Sequence, residues 1–296
     1  MPVGVQRDRV LHGLGEKRGR LHRYTVVRWA LAIVLTAAVA LLPATDALRI
    51  DLWSGAAWWL GERVDLVRGA KAFAFPFVAV NVLIVFASRF LGRYLCGFVC
   101  PIGNLNRLDE WLRWRFRKRA GNLRAGVGSL AACFSLAAIT FSFWVDWAVF
   151  LAGSPLAKVL ATGFLLGTTA LLFGMVHGLG MRFCREYCPS GVYFALLGPK
   201  SLTGIEFAHP EQCTDCHACE NVCPVDLEPR RMAQDPPRPG MGFYPDGLTA
   251  YANCLRCGDC VVVCEATTSR AAAPTPLALG FLSDRPPGEP GKDERA

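Results

Sequence analysis

Residues 213–224 read CTDCHACENVCP, with Cys213, Cys216, Cys219 and Cys223 separated by two, two and three residues and closed by Pro224. A second run, CLRCGDCVVVC at 254–264, repeats the spacing with Cys254, Cys257, Cys260 and Cys264, and Glu265 stands where the first run has proline. The chain has 296 residues, 13 of them cysteine, and is 52% hydrophobic. It is too long and too apolar for a small secreted disulfide scaffold, so cysteines clustered this tightly read as metal ligands.

The C-x2-C-x2-C-x3-C-P run is the one bacterial ferredoxins use, in which the fourth cysteine serves the other cluster. Three thiolates two residues apart wrap one cluster in a tight turn. The fourth sits too far round to join them. The expected ligand sets are therefore Cys213, Cys216, Cys219 and Cys264 for one [4Fe–4S] cluster, and Cys254, Cys257, Cys260 and Cys223 for the second. Ala218 and Gly258 are small enough to let backbone approach a cluster. Zinc is the alternative, since cysteine pairs also bind it, but zinc does not require the paired run. His217, inside the first run, is expected as an exposed neighbour rather than a ligand.

Working back towards the N-terminus, four apolar stretches are long enough to cross a bilayer: Val26–Ala44, Ala72–Leu91, Val127–Ala148 and Leu156–Gly178. Their only charges, Arg28, Arg89, Asp146 and Lys158, lie near the ends, where long side chains snorkel. The first stretch is longer than a signal-peptide core and reads as a retained anchor, with no twin-arginine signal ahead of it. Lys and Arg crowd the N-terminal segment (Arg7, Arg9, Lys17, Arg18, Arg20, Arg23). They also crowd the loop between the second and third stretches (Arg93, Arg107, Arg113, Arg115, Arg117, Lys118, Arg119, Arg124). By the positive-inside rule both termini and this loop face the cytoplasm. That accounts for most of the net charge of +8 and sets nucleic-acid binding aside. Residues 105–119, LNRLDEWLRWRFRKR, place Leu105, Leu108, Leu112 and Phe116 on one stripe and read as an interfacial helix.

Four further cysteines come in two matching pairs. Residues 93–103, RYLCGFVCPIG, and 181–191, MRFCREYCPSG, each contain C-x3-C-P, and each follows a pair of apolar stretches. The membrane part thus reads as a duplicated two-helix unit, a parallel repeat. Pro101 and Pro189 would either end a helical turn or begin the next helix. Cys96, Cys100, Cys184 and Cys188 are candidate redox or metal thiols, with structural packing as the alternative. Cys133 reads as core packing. His177, Trp144, Asp146 and Trp147 are candidate quinone-binding groups, but span-end residues of these types are commonly anchors or solvated, and the sequence assigns no quinone site.

With these motifs in order, the chain resembles the NapH/MauN family of membrane ferredoxin-type proteins over roughly residues 22–267. The resemblance implies a quinol dehydrogenase membrane component. Such a protein passes electrons from the quinol pool towards a periplasmic electron acceptor, often with a second ferredoxin-type protein. It would be an electron-transfer subunit rather than a stand-alone enzyme. The MauN branch adds an alternative, an accessory or maturation factor for a periplasmic metalloenzyme such as a methylamine dehydrogenase. The expected architecture is mainly α: a basic segment 1–25, a four-helix transmembrane domain 26–199, a two-cluster ferredoxin-like α+β domain 200–269 and a disordered tail 270–296. The expected location is a bacterial inner membrane, multi-pass, in contact with lipid.

Overall fold

The four apolar stretches fold as helices in a computed structural model that describes residues 23–116, 121–197, 203–232, 239–268 and 275–281. The basic residues 7–20, residues 117–119 and the tail beyond 281 lie outside the described residues. Helix α1 spans Arg23–Ala44, α2 Leu66–Leu91, α5 Gly121–Trp144 and α7 Pro155–Phe173, the last continuing through a wide π-type segment, Gly174–Leu179. At about 1.5 Å per residue, the 22 residues of α1 match a hydrocarbon core about 30 Å thick. On α2, Phe75, Phe77, Val78, Val82, Leu83 and Phe86 are all more than half exposed. A continuous apolar face of that size is foreign to water-soluble monomers and fits a membrane protein.

Two compact units divide the chain: a helical unit, residues 27–85 and 98–183, and a cysteine-rich unit, residues 1–26, 86–97 and 184–296. In the helical unit α5 and α7 meet through Ala137, Ala157 and Ala161, with Phe141, Val145, Val149 and Leu165 filling the seam. Small residues let helix backbones approach where no water drives them together. Cys133 is fully buried in α5, as packing requires. Arg28 is buried rather than snorkelling, with its guanidinium 5.5 Å from the Phe98 ring centroid.

Between α1 and α2 the chain forms an antiparallel sheet, β1 Leu48–Asp51, β2 Ala56–Trp59 and β3 Glu62–Asp65, with β2 central. Four-residue strands with mixed charge show no period that a sequence reading can find. The third apolar stretch stops at Trp144, short of Ala148, because Asp146 turns the chain by accepting from the Ala148 amide. Asp146 also pairs with Arg49 at 3.0 Å, and the Trp144 carbonyl accepts from Leu52 N. Two of the residues weighed for quinone thus hold the sheet instead.

The segment read as interfacial is helix α4, Pro101–Arg115, and its buried residues are mainly polar: Asn104, Asn106, Arg107 and Asp109, with Leu112. Leu105 and Leu108 are only half-buried. The polar face of this helix finds partners inside the unit, while Leu105 and Leu108 of the apolar stripe stay partly exposed.

In the cysteine-rich unit β4, Thr203–Phe207, pairs antiparallel with β5, Leu277–Phe281, from Thr203 opposite Phe281 to Phe207 opposite Leu277. This corrects the boundary at 270: the apolar LALGF inside a Pro-, Ala- and Gly-rich region is a strand, and Leu277 is fully buried. Three short helices complete the unit, α9 Ala218–Asn221, α10 Ala250–Asn253 and α11 Asp259–Thr268. Helix α8, Pro189–Leu197, packs beside α10 through a small core of Ala195, Tyr244, Leu248 and Ala252.

Candidate metal centres

Each cysteine run folds as an open loop that leads into a helix. In the first loop Asp215 and His217 take positive φ, +54° and +53°. In the second, Arg256 and Gly258 do so, +52° and +76°. These are the same two offsets from the leading cysteine. Left-handed backbone costs a non-glycine residue on the order of 1–2 kcal/mol. The repetition therefore marks a conformation that is used: alternating handedness turns successive amides to one side, an anion-binding concavity of the kind found at iron–sulfur sites. At Gly258 a side chain would also press on the Tyr24 ring, at 3.2 Å.

Two cavities open in this unit. Cys213, Cys216, Cys219 and Cys264 line the first, together with Ala218, His217 and Arg230. Cys223, Cys254, Cys257 and Cys260 line the second, with Gly258, Ile205 and Leu227. Each run therefore sends its fourth cysteine to the other run's cavity. Cys264 reaches the first cavity because it sits on α11, one turn beyond Cys260.

The thiols are largely buried. Burial pushes the Cys219 thiol up to about 12, with Glu220 adding to it, and pushes Cys223 up to about 12. Cys254 and Cys260 are raised by burial too, Cys254 against the pull of Arg256. Buried thiolates need compensation, and some is in place: Leu227 N donates to Cys223 Sγ at 3.3 Å and Arg256 N to Cys254 Sγ at 3.4 Å. Each set of four thiols stands around a space, and that donor set fits a cluster. His217 is half-exposed and lies 2.9 Å from Glu220, as a neighbour rather than a fifth donor.

The C-x3-C-P segments share a local structure. Cys96 lies on a helical turn, α3 Tyr94–Phe98, and Cys100 precedes Pro101, the first residue of α4. Cys184 lies on a π-type turn, Phe183–Tyr187, and Cys188 precedes Pro189, the first residue of α8. Both prolines begin a helix. Around Arg93, 2% exposed, the cysteine-rich unit gathers Cys96, Cys184 and Cys188. Arg93 Nη2 donates to the Cys184 carbonyl and to the Tyr244 hydroxyl, both at 2.9 Å. The Tyr244 hydroxyl is pushed up to about 12 by burial, with Cys188, Cys96 and Cys184 adding to it. Gly97 brings the Cys96 turn against the second loop, where a side chain would collide with the Leu255 carbonyl. Cys100 belongs to the helical unit. Counting Arg93 as loop charge hid its role, because charge counting cannot separate buried from exposed arginine.

A second constellation was missed altogether. In the helical unit the buried Asp109 accepts from Ser129 Oγ at 2.5 Å, His177 Nδ1 at 2.7 Å and Arg113 Nε at 2.7 Å. Arg113 also donates to the His177 carbonyl, and the His177 ring stacks on Phe173 at 4.8 Å. His177, weighed for quinone, is thus tied to α4 through its ring nitrogen. The signal was present as an acidic residue inside an arginine-rich helix.

No family model and no solved structure matches the chain. It is 27% identical over 201 residues to the ferredoxin-type protein NapH of Haemophilus influenzae, a stretch covering 64% of this chain and 66% of that protein. To the methylamine utilization ferredoxin-type protein MauN of Methylorubrum extorquens it is 28% identical over 169 residues, 54% of this chain and 57% of that one. A stretch of 45 residues, 15% of the chain, is 42% identical to a ferredoxin of Streptomyces griseus and covers 37% of it. The chain thus spans just under two thirds of the NapH protein and less of MauN. Over that stretch it is similar to the NapH and MauN ferredoxin-type proteins.

Proposed function

We propose that this chain is a membrane-embedded iron–sulfur electron carrier. Cys213, Cys216, Cys219 and Cys264 hold one [4Fe–4S] cluster, and Cys223, Cys254, Cys257 and Cys260 hold the other. The observation that carries this reading is the exchange of the fourth cysteine between the two cavities, which two independent zinc sites would not need. When bound, such clusters supply one-electron exchange. The chain's own part is to hold them by thiolates, fully buried in the second set and partly exposed in the first, and to donate backbone amides to Cys223 and Cys254 Sγ. Residues 203–281 act as a ferredoxin-like domain closed by β4 and β5. The four apolar helices anchor it in a bacterial inner membrane with both termini in the cytoplasm, an orientation supported by the Lys and Arg of the flanks. Likeness to NapH supports the quinol pool as electron source, with a second ferredoxin-type protein or a periplasmic acceptor downstream. Cys96, Cys184 and Cys188, gathered near Arg93 and Tyr244 in the cysteine-rich unit, act as redox-active thiols.

Anaerobic purification tests this directly. About eight irons per chain with acid-labile sulfide are expected, four for each cluster, and stoichiometric zinc without sulfide would end the reading. The likeness to MauN supports one second reading, an accessory factor needed only while a periplasmic methylamine-oxidising enzyme is assembled. Reduction of the chromophore by quinol analogues in isolated membranes separates the two, because an assembly factor need not respond.

A further inference from the structure

The Asp109 network leaves one atom unused. His177 sits on the π-type segment after α7, with its Nδ1 2.7 Å from the Asp109 carboxylate. A carboxylate only accepts, so Nδ1 carries the proton and, in the neutral ring, Nε2 carries a lone pair. Asp109 is itself fixed, by Ser129 Oγ at 2.5 Å and Arg113 Nε at 2.7 Å, and Arg113 also holds the His177 carbonyl. Phe173 stacks on the ring face. The imidazole is thus set in place and in tautomer. Among the described residues nothing bonds Nε2, and the side chain is 28% exposed.

What that nitrogen faces decides its use. A Cβ placed on Gly126 would stand 3.9 Å from both His177 Cε1 and Nε2, so this edge of the ring looks onto α5 where the helix has no side chain. Leu123, Val127 and Leu130, the neighbours of Gly126 along that helix, are all exposed. They belong to the apolar span Leu123–Trp144, and Gly126 stands in its first turn. Glycine inside a helix is destabilising relative to alanine; here it keeps a gap beside a basic nitrogen. A histidine that only tied the π-type segment to α4 would need Nδ1 alone. A proton-accepting atom that opens on an exposed apolar face, at the end of a span, suits a ligand carried by lipid: an apolar ring and tail with a hydroxyl.

We propose that His177 Nε2 accepts a hydroxyl proton from a membrane quinol bound beside Gly126, with Asp109 as its positioning residue. The inference rests on the reading above in which the quinol pool is the electron source. Oxidation of one quinol to quinone breaks two O–H bonds and releases two protons and two electrons. One proton passes to Nε2 and from there to water, and the other goes to water directly. The electrons leave singly, one to each oxidised [4Fe–4S] cluster. Asp109 stabilises the imidazolium while it carries the proton, and Arg113 and Ser129 keep the carboxylate aimed at the ring.

The test uses full-length protein, purified anaerobically, checked for iron and reconstituted in liposomes. Cluster reduction is followed with a quinol analogue and, separately, with dithionite, which needs no proton acceptor. His177→Asn keeps a short donor for Asp109 but has no basic nitrogen. Dithionite should reduce its clusters at the parental rate, and the quinol at least about 100-fold more slowly, the low end of what general bases contribute. Asp109→Asn should lower kcat for the quinol and leave KM in place. Gly126→Leu fills the gap and leaves the Asp109–His177 bond intact, so KM for the quinol should rise at least about tenfold. Binding of an alkylresorcinol, a dihydroxy ring that cannot become a quinone, should weaken by the same factor in Gly126→Leu, whether or not clusters are loaded. Parental quinol rates in His177→Asn, or unchanged KM and alkylresorcinol affinity in Gly126→Leu, would overturn the proposal. If His177→Asn does not fold, Gly126→Leu decides it. Parent clusters that dithionite reduces and no quinol does would instead sink the quinol-donor reading, and this inference with it.

Discussion

Arg93 Nη1 donates to the carbonyl of Asn253 at 3.1 Å, and Asn253 is the residue immediately before Cys254. The same guanidinium holds the Cys184 carbonyl and the Tyr244 hydroxyl. One side chain from the turn after α2 therefore ties the second C-x3-C-P segment, the chain around Tyr244 and the second cysteine loop. Each of these groups is buried or nearly so, and a buried polar group left without its partner costs about 1–3 kcal/mol. Arg93→Ala is expected to destabilise the protein by about 3 kcal/mol or more, tempered because Tyr244 still donates to the Cys184 carbonyl. Arg93→Lys should recover only part of this, since a point charge cannot reproduce a fork of donors. Thermal unfolding in detergent measures it, and an unchanged midpoint in Arg93→Ala would show that the contacts are dispensable.

The Asp109 carboxylate gathers donors from three segments, Arg113 on its own helix, Ser129 on α5 and His177 after α7. Removing it strands a half-buried imidazole and a guanidinium together. Asp109→Ala should cost about 3–5 kcal/mol, reduced somewhat by the partial exposure of Arg113. Ser129→Ala should cost about 1 kcal/mol. The double variant should be less destabilised than the sum, because both deletions act on one network. Additive losses would mean that the serine contact is incidental.

These two networks show where the sequence was legible. Helices α1, α2, α5 and α7 announce themselves by apolar length, and the eight ligand candidates announce themselves by spacing. Both are local signals, read within one window. Strand β5 was lost because its partner, β4, is 70 residues away and its own five residues are surrounded by Pro, Ala and Gly. Arg93 was misjudged and Asp109 missed for one reason: burial of a charge is decided by what the fold brings to it, and nothing in the flanking residues reports that. The leucine stripe of α4 was legible as a pattern, while the buried partners of Asn106 and Asp109 on the same helix were not.

Because the two cavities divide the eight cysteines cleanly, single ligand changes should be selective. Cys213→Ser is expected to remove up to about half of the roughly eight irons and leave one EPR signal. Cys223→Ser, from the same run, should remove the other signal, since Cys223 faces the second cavity. Iron and sulfide analysis beside EPR reads both. Loss of the same signal in the two variants would show that each run serves a single cluster.

The C-x3-C-P cysteines of the cysteine-rich unit, Cys96, Cys184 and Cys188, should behave as one unit. Cys96 and Cys184 occupy matching turns, each four residues before a cysteine that precedes a helix-starting proline. Cys96, Cys184 and Cys188 surround the Arg93–Tyr244 pair, a place where simple packing would not call for repeated thiols. If they were packing residues, serine would cost about 1 kcal/mol or less and spare activity. A shared redox or metal unit loses its chemistry with any member. Cys96→Ser and Cys184→Ser are therefore each expected to abolish quinol-linked electron transfer in membranes while protein level and the iron of the two ferredoxin-type sets persist. The double variant should be no worse than either single one, since members of one unit are not additive. Normal quinol-linked reduction in both single variants would return these thiols to a structural role.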